Sequence, residues 1–197
     1  EEQIVVRTAV SFVSIDNARQ NMEKELSPFG WDFNAVVAYN KEAWNSLLSK
    51  VEVEGGTEED RIKFYTNLYR AYSARTIMND VNGEYRDAAE EVAKLPERMK
   101  NIYSGDGFWN TFWNCNGLWS LITPDIMSDM ANTQIEMYER TGWTSKGPAG
   151  IEYSSIMEGS PDIAQIVATY QKGLHNCDPH VPYEAIRQKA PNNGIAP

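Results

Sequence analysis

Ile4-Val5-Val6-Arg7-Thr8-Ala9-Val10-Ser11-Phe12-Val13 alternates with the two-residue period of a strand. Ile4, Val6, Thr8, Val10 and Phe12 fall on one face, and Val5, Arg7, Ala9, Ser11 and Val13 on the other. From Ser14 onward the spacing reads as helices almost throughout. A lone strand has no ladder for its backbone N–H and C=O groups. The stretch is therefore expected to belong to a sheet elsewhere.

The helices are read from caps and periodicity. Ser14 caps a helix through about Leu26, which Ser27-Pro28-Phe29-Gly30 breaks. Val37, Trp44, Leu47, Leu48 and Val51 then share one side of a longer helix that ends before Gly55-Gly56. Thr57-Glu58-Glu59-Asp60 is a capping box opening a helix with Ile62, Tyr65, Leu68, Tyr69 and Tyr72 on its apolar face. Asn79 to Gly83 has turn chemistry, and the acidic stretch Asp87 to Glu97 reads as a short solvated helix interrupted near Pro96. Thr123-Pro124 and Ser160-Pro161 place proline at a first helical position, where its missing N–H costs nothing. Ile163, Ile166, Val167 and Tyr170 continue the second of these to Gly173, and a weaker helix spans Tyr183 to Lys189. No repeat of fixed period is present, although paired helices of unequal length are what a toroid of helical hairpins shows.

Composition excludes several classes. The 197 residues are 42% hydrophobic and 11% aromatic, enough to bury a core. With 18 Lys+Arg against 28 Asp+Glu, the net charge of −10 repels a phosphate backbone, so nucleic acid is not an expected partner. No apolar run approaches the ~18 residues of a membrane span. Glu1-Glu2-Gln3 does not begin a secretory signal. Cys115 and Cys177 are too few for a disulfide framework; two separate buried thiols are favoured over a bridge.

Candidate chemistry gathers in two places. Phe108, Trp109, Phe112, Trp113 and Trp119 interleave with Asn110, Asn114 and Asn116. Such a stripe is either a core helix or a sugar platform, since pyranose C–H faces pack on indole while amides meet hydroxyl groups. The second place is the Gly/Pro-rich loop holding Trp143, Lys146 and Glu152, and running on to Met157-Glu158-Gly159. Loops on a rigid scaffold carry function, although a Glu there is more often a cap or a solvated charge. Asp80, Asn82 and Glu84 alternate like a calcium loop but lack the distal Glu, so no dedicated metal site is assigned.

Several segments together resemble glycoside hydrolase family 92, the calcium-dependent exo-acting α-mannosidases common in gut Bacteroidetes. They include Ser11 to Arg19, Gly30-Trp31-Asp32-Phe33, Val51 to Thr57, Phe64 to Tyr69, Asp80 to Arg86, Trp109-Asn110-Thr111, Gly142-Trp143 and Tyr170-Gln171-Lys172-Gly173. The resemblance implies an N-terminal β-sandwich followed by an (α/α)6 toroid with the sugar pocket between them. The fold expected here is mainly α, part of an (α/α)6 toroid preceded by one β-strand. Residues 1–13 would be the last sandwich strand, 14–31 a connecting helix and linker, and 32–197 a partial toroid.

The same resemblance implies inverting hydrolysis of terminal α-mannosyl linkages, a mannose-containing glycan as partner, and a periplasmic or extracellular location. It also implies calcium, with no site identifiable in this chain. The family's acid lies in a Glu-Gly-Asn motif and its base in a Gly-Asn-Asp motif, and no segment here reproduces either. No catalytic residue is therefore assigned, and this chain alone is expected to be inactive. Trp109-Asn110-Thr111 stands where the family has Trp-Asp-Thr, exchanging a charged acceptor for an amide at a cost of ~1 to 2 kcal/mol in a hydroxyl contact. Ser160-Pro161 replaces the family's more usual acidic or histidine-containing continuation. Trp109, Asn110, Trp143, Lys146 and Glu152 are the expected sugar-side residues. Self-association, or association with a missing part of the parent, is expected from an uncovered apolar face. Two alternatives stand beside this reading: a non-catalytic carbohydrate-binding or assembly module, and a helical scaffold without ligand.

Overall fold

Ser14 accepts a hydrogen bond from the Asn17 N–H at 3.0 Å and so caps α1 (Ile15–Glu25), as its sequence position predicts. The computed structural model describes residues 4–73, 75–104, 110–149, 152–153 and 159–189. A 3-10 turn, Ser27–Phe29, ends at Gly30, whose φ of 55° suits glycine. Asp32 caps α2 (Phe33–Leu48) through the Ala35 N–H. Thr57 and Asp60 form the expected reciprocal cap of α3 (Glu58–Ser73). α2 and α3 pack side by side, and the Tyr65 hydroxyl donates to the Val51 carbonyl at 3.0 Å to close their connection.

Residues 4–13 are not a strand. None of the ladders among the described residues includes them, and Ile4, Val6, Val10 and Phe12 are exposed, Ile4 to 85%. The alternation is present but no partner edge lies alongside to pair with it. The stretch is instead fastened at its far end by side chains. The Ser11 hydroxyl donates to the Asp80 carboxylate at 2.6 Å, and Asn17 and Asn21 donate to the same carboxylate at 2.8 and 2.7 Å. Asn17 and Asn82 also donate to Glu84. The acidic alternation at Asp80 to Glu84 thus meets the amides of α1.

Four short strands follow α3. β1 (Thr76–Ile77) pairs antiparallel with β4 (Tyr103–Ser104), and between them β2 (Glu84–Arg86) pairs with β3 (Val92–Lys94). The helix expected over Asp87 to Glu97 is therefore replaced by a hairpin. Asp87 explains it: its carboxylate accepts from the N–H groups of Ala89 and Glu91, each at 2.9 Å, and Glu90 takes a φ of 65°. A side chain that collects the amides a helix would need for itself favours a turn. Tyr85 and Ala93 then face inward on a small core with Met78, Met99 and Ile102.

The C-terminal half is helical: α4 (Cys115–Ile122), α5 (Pro124–Thr141), α6 (Pro161–Gln171) and α7 (His180–Lys189), with a hairpin of β5 (Pro148–Ala149) and β6 (Glu152–Tyr153) before α6. The prolines predicted at helix starts are at the first positions of α5 and α6. α5 is central, touching α4, α6, α7 and β4. The main core joins Leu68 and Tyr72 of α3 to Tyr103, Trp119, Met127 and Met130. Cys115 and Cys177 are free, half-buried thiols, and burial pushes both up from the ordinary thiol range. No helix among the described residues is long and apolar enough to cross a membrane.

Candidate functional site

The aromatic segment divides between a turn and a helix. Residues 110–114 form turns: the Trp113 N–H donates to Asn110 and the Asn116 N–H to Thr111, the latter at 2.8 Å, and α4 starts only at Cys115. Asn110 is exposed, and so are Phe112 and Trp113, whose rings stack at 4.7 Å. Trp113 keeps 70% of its surface exposed. Inside α4 the picture reverses. Trp119 is buried under the Arg75 guanidinium, 4.8 Å from its ring centre, and Asn116 is buried with it. Both amide atoms of Asn116 and the indole N–H of Trp119 have no partner among the described residues. The stripe is thus not one helix: α4 begins after Phe112 and Trp113 and holds only Asn116 and Trp119 of its described buried members. Trp109 lies outside the described residues.

The second segment begins where Gly142, at a φ of 81°, ends α5 by donating to the Tyr138 carbonyl. Trp143 and Lys146 are half-buried, while Thr144 and Ser145 between them are buried. Side chains from three helices hold these two residues. Gln134 of α5 accepts from the Ser145 N–H at 2.9 Å. Asp162 of α6 accepts from the Thr144 hydroxyl at 2.5 Å and from Lys189 Nζ of α7 at 2.6 Å. Lys189 Nζ also reaches the Thr144 carbonyl at 3.3 Å. Asp162 and Lys189 are 0% and 1% exposed. Burial holds the Lys189 amine below the ordinary lysine range against the pull of Asp162, with the charge of Lys146 acting in the same direction as burial.

The second segment runs into a hairpin that lies beside the β1–β4 ladder. β5 and β6 carry the loop onward from Lys146, and β4 runs beside β5. Glu152 sits in β6 opposite Ala149. Trp143 and Lys146 thus share one clamped loop and Glu152 follows it on the hairpin, while Asn110 stands in the exposed turn before α4. The residues that sequence reading missed are Gln134, Asp162 and Lys189. Asp162 reads there as first-turn acid and Lys189 as last-turn base, and their meeting is a long-range contact. Among the described residues, no cluster of three or more His, Cys, Asp or Glu side chains is placed to hold a metal ion.

Comparison with known proteins bears on both fold and family. The model of the glycosyl hydrolase family 92 catalytic domain matches residues 17–196. A solved family GH92 α-mannosidase of Bacteroides thetaiotaomicron superposes with a TM-score of 0.83 at 23% identity, over 91% of this chain and 24% of that one. A family GH92 inverting mannosidase of the same organism gives a TM-score of 0.76 at 24% identity, over 92% of this chain and 24% of its own. A protein described as an uncharacterized secreted glycosidase of Arthroderma benhamiae is 30% identical over 71 residues, 35% of this chain and 9% of its own length. The chain thus spans about a quarter of the solved proteins it resembles. The expected fold class holds: mainly α, the helices forming part of an (α/α)6 toroid.

Proposed function

This chain belongs to glycoside hydrolase family 92, and from that premise we propose that it is part of an α-mannosidase that hydrolyses terminal α-mannosyl linkages with inversion. An inverting displacement needs one carboxylic acid to protonate the leaving oxygen and a carboxylate on the opposite face to activate water. In this reading those two groups come from the remainder of the enzyme, and this chain supplies sugar contacts. Trp109, Asn110, Trp143, Lys146 and Glu152 line the sugar side. The observation that supports the assignment is the family match over residues 17–196, together with a Trp143–Lys146 loop held in place by side chains of three helices. Calcium is part of the proposal for the whole enzyme only; the described residues offer it no donor cluster. A periplasmic or extracellular location fits the description of the fungal relative.

Residues 1–13 are proposed to complete a β-sandwich, 14–31 to connect, and 32–197 to belong to the toroid. The exposed alternate face of residues 4–12 suits a strand awaiting its sheet. Exposed Trp31, Phe33, Tyr39 and Ile62 suit self-association of the chain, which light scattering across a concentration series measures. The exposed Phe112–Trp113 stack favours a second reading, a non-catalytic carbohydrate-binding module.

The decisive experiment pairs two measurements on the purified chain. No mannose is released from α-1,2-mannobiose if both carboxylates lie elsewhere; measurable release overturns that division of labour. Saturable quenching of Trp fluorescence by mannose is expected, and a flat titration removes the sugar-contact assignment.

A further inference from the structure

The buried ion pair between α6 and α7 is an unusual way to hold two helices together. Taking both charges out of water costs more than their attraction generally returns, and apolar residues of similar volume would join the helices at least as well. Both charges here converge on one loop residue. Asp162 Oδ2 accepts from the Thr144 hydroxyl as well as from Lys189, and Lys189 donates also to the Thr144 carbonyl. The other carboxylate oxygen, Asp162 Oδ1, is buried with no partner among the described residues, so the group is not placed for fullest satisfaction. Beyond Thr144, the Ser145 N–H goes to Gln134 and the Gly147 N–H to the Ser145 hydroxyl. A stretch with no ladder of its own is thereby fixed by side chains from α5, α6 and α7. Trp143 and Lys146 flank the two clamped residues.

We propose that Asp162 and Lys189 are positioning residues for the sugar-binding loop, holding Thr144 so that Trp143 and Lys146 stand where the glycan meets them. The inference rests on the sugar-contact reading above. It adds that α7, whose side chains are not assigned to the pocket, governs its geometry. A displacement of about 1 Å in substrate-positioning groups is worth up to roughly 100-fold, so the clamp affects binding without touching sugar.

The test uses the double variant Asp162→Leu/Lys189→Met, which removes both charges together, and Thr144→Val, which keeps the ion pair and removes the hydroxyl bond. Three readouts are taken: melting temperature, amide hydrogen exchange across residues 143–147, and the Kd for mannose from Trp fluorescence. The emission of Trp143, isolated as the difference from matched Trp143→Phe proteins, reports its surroundings. The expected result is a melting temperature retained in at least one variant, exchange at Ser145 and Gly147 faster by tenfold or more, a shifted Trp143 emission, and a Kd for mannose weakened at least tenfold. A folded variant with unchanged exchange, Trp143 emission and Kd overturns the proposal and leaves the pair a structural tie. If the unsubstituted protein does not respond to mannose, the sugar reading fails by itself, while exchange and emission still decide whether the pair positions the loop.

Discussion

α2 and α5 are helices of similar length with opposite surroundings. α2 has 16 residues and none is buried; α5 has 18, of which ten are buried, Asp129, Asn132, Thr133, Gln134 and Glu136 among them. Hydrophobicity does not explain the contrast, since the buried stretch of α5 is half polar. What separates them is partners. Each of those α5 side chains is satisfied from outside the helix: Asp129 by the N–H groups of Lys100 and Asn101, Asn132 by Asn176, Thr133 by Tyr103, Gln134 by Ser145, and Glu136 by Tyr85 and Arg98. α2 offers Trp44, Leu47 and Leu48 to the main core and leaves Phe33 and Tyr39 in solvent. In this molecule a helix is central where its buried polar groups are matched from other elements, and peripheral where large apolar side chains such as Phe33 stay in solvent.

The largest effect is therefore expected at Glu136. Glu136→Ala leaves the buried Tyr85 hydroxyl without its acceptor and takes a carboxylate from Arg98 and Arg140. A loss of about 3 kcal/mol, in the range for breaking a buried pair, is expected from the urea midpoint at constant slope. A loss no larger than that of an exposed ion pair would mean that centrality does not depend on matched polar groups. On the peripheral side, Ile62→Glu on α3 places a charge on a residue 58% exposed. Its stability should be unchanged, while the association constant from light scattering falls by about tenfold if the uncovered face joins copies of the chain. A destabilised monomer with unaltered association would reverse the roles given to the two regions.

The same contrast explains what could be read from sequence. The caps at Ser14 and Thr57, the prolines opening α5 and α6, and the glycine stop at Gly173 are local signals, and each sits where its spacing placed it. Features set by distant partners were not legible. Residues 4–13 have strand alternation but no edge to join, and the acidic stretch after Asp87 turned out to be half of a hairpin whose other half precedes it. At the candidate site, the Gly/Pro-rich loop was recognisable as a loop. Its anchoring was not, because Gln134, Asp162 and Lys189 come from three helices and meet only in the folded chain.

The smallest expected effect is the sharpest test of the partner argument. Asn116 of α4 is as buried as Gln134 of α5, at 2% and 1% exposure, yet both its amide atoms are unpartnered. If burial alone made such residues valuable, exchanging either for leucine would destabilise the fold alike. If bonding decides, Gln134→Leu strands the buried Ser145 N–H at a cost of about 1 to 3 kcal/mol, whereas Asn116→Leu removes two unpaired polar atoms and is neutral or slightly stabilising. Paired thermal melts of the two variants separate these outcomes. A clear loss for Asn116→Leu would mean that its amide has a bonding partner in solution, and the face shared by Asn116 and Trp119 would then be a place where water or a ligand hydroxyl is held.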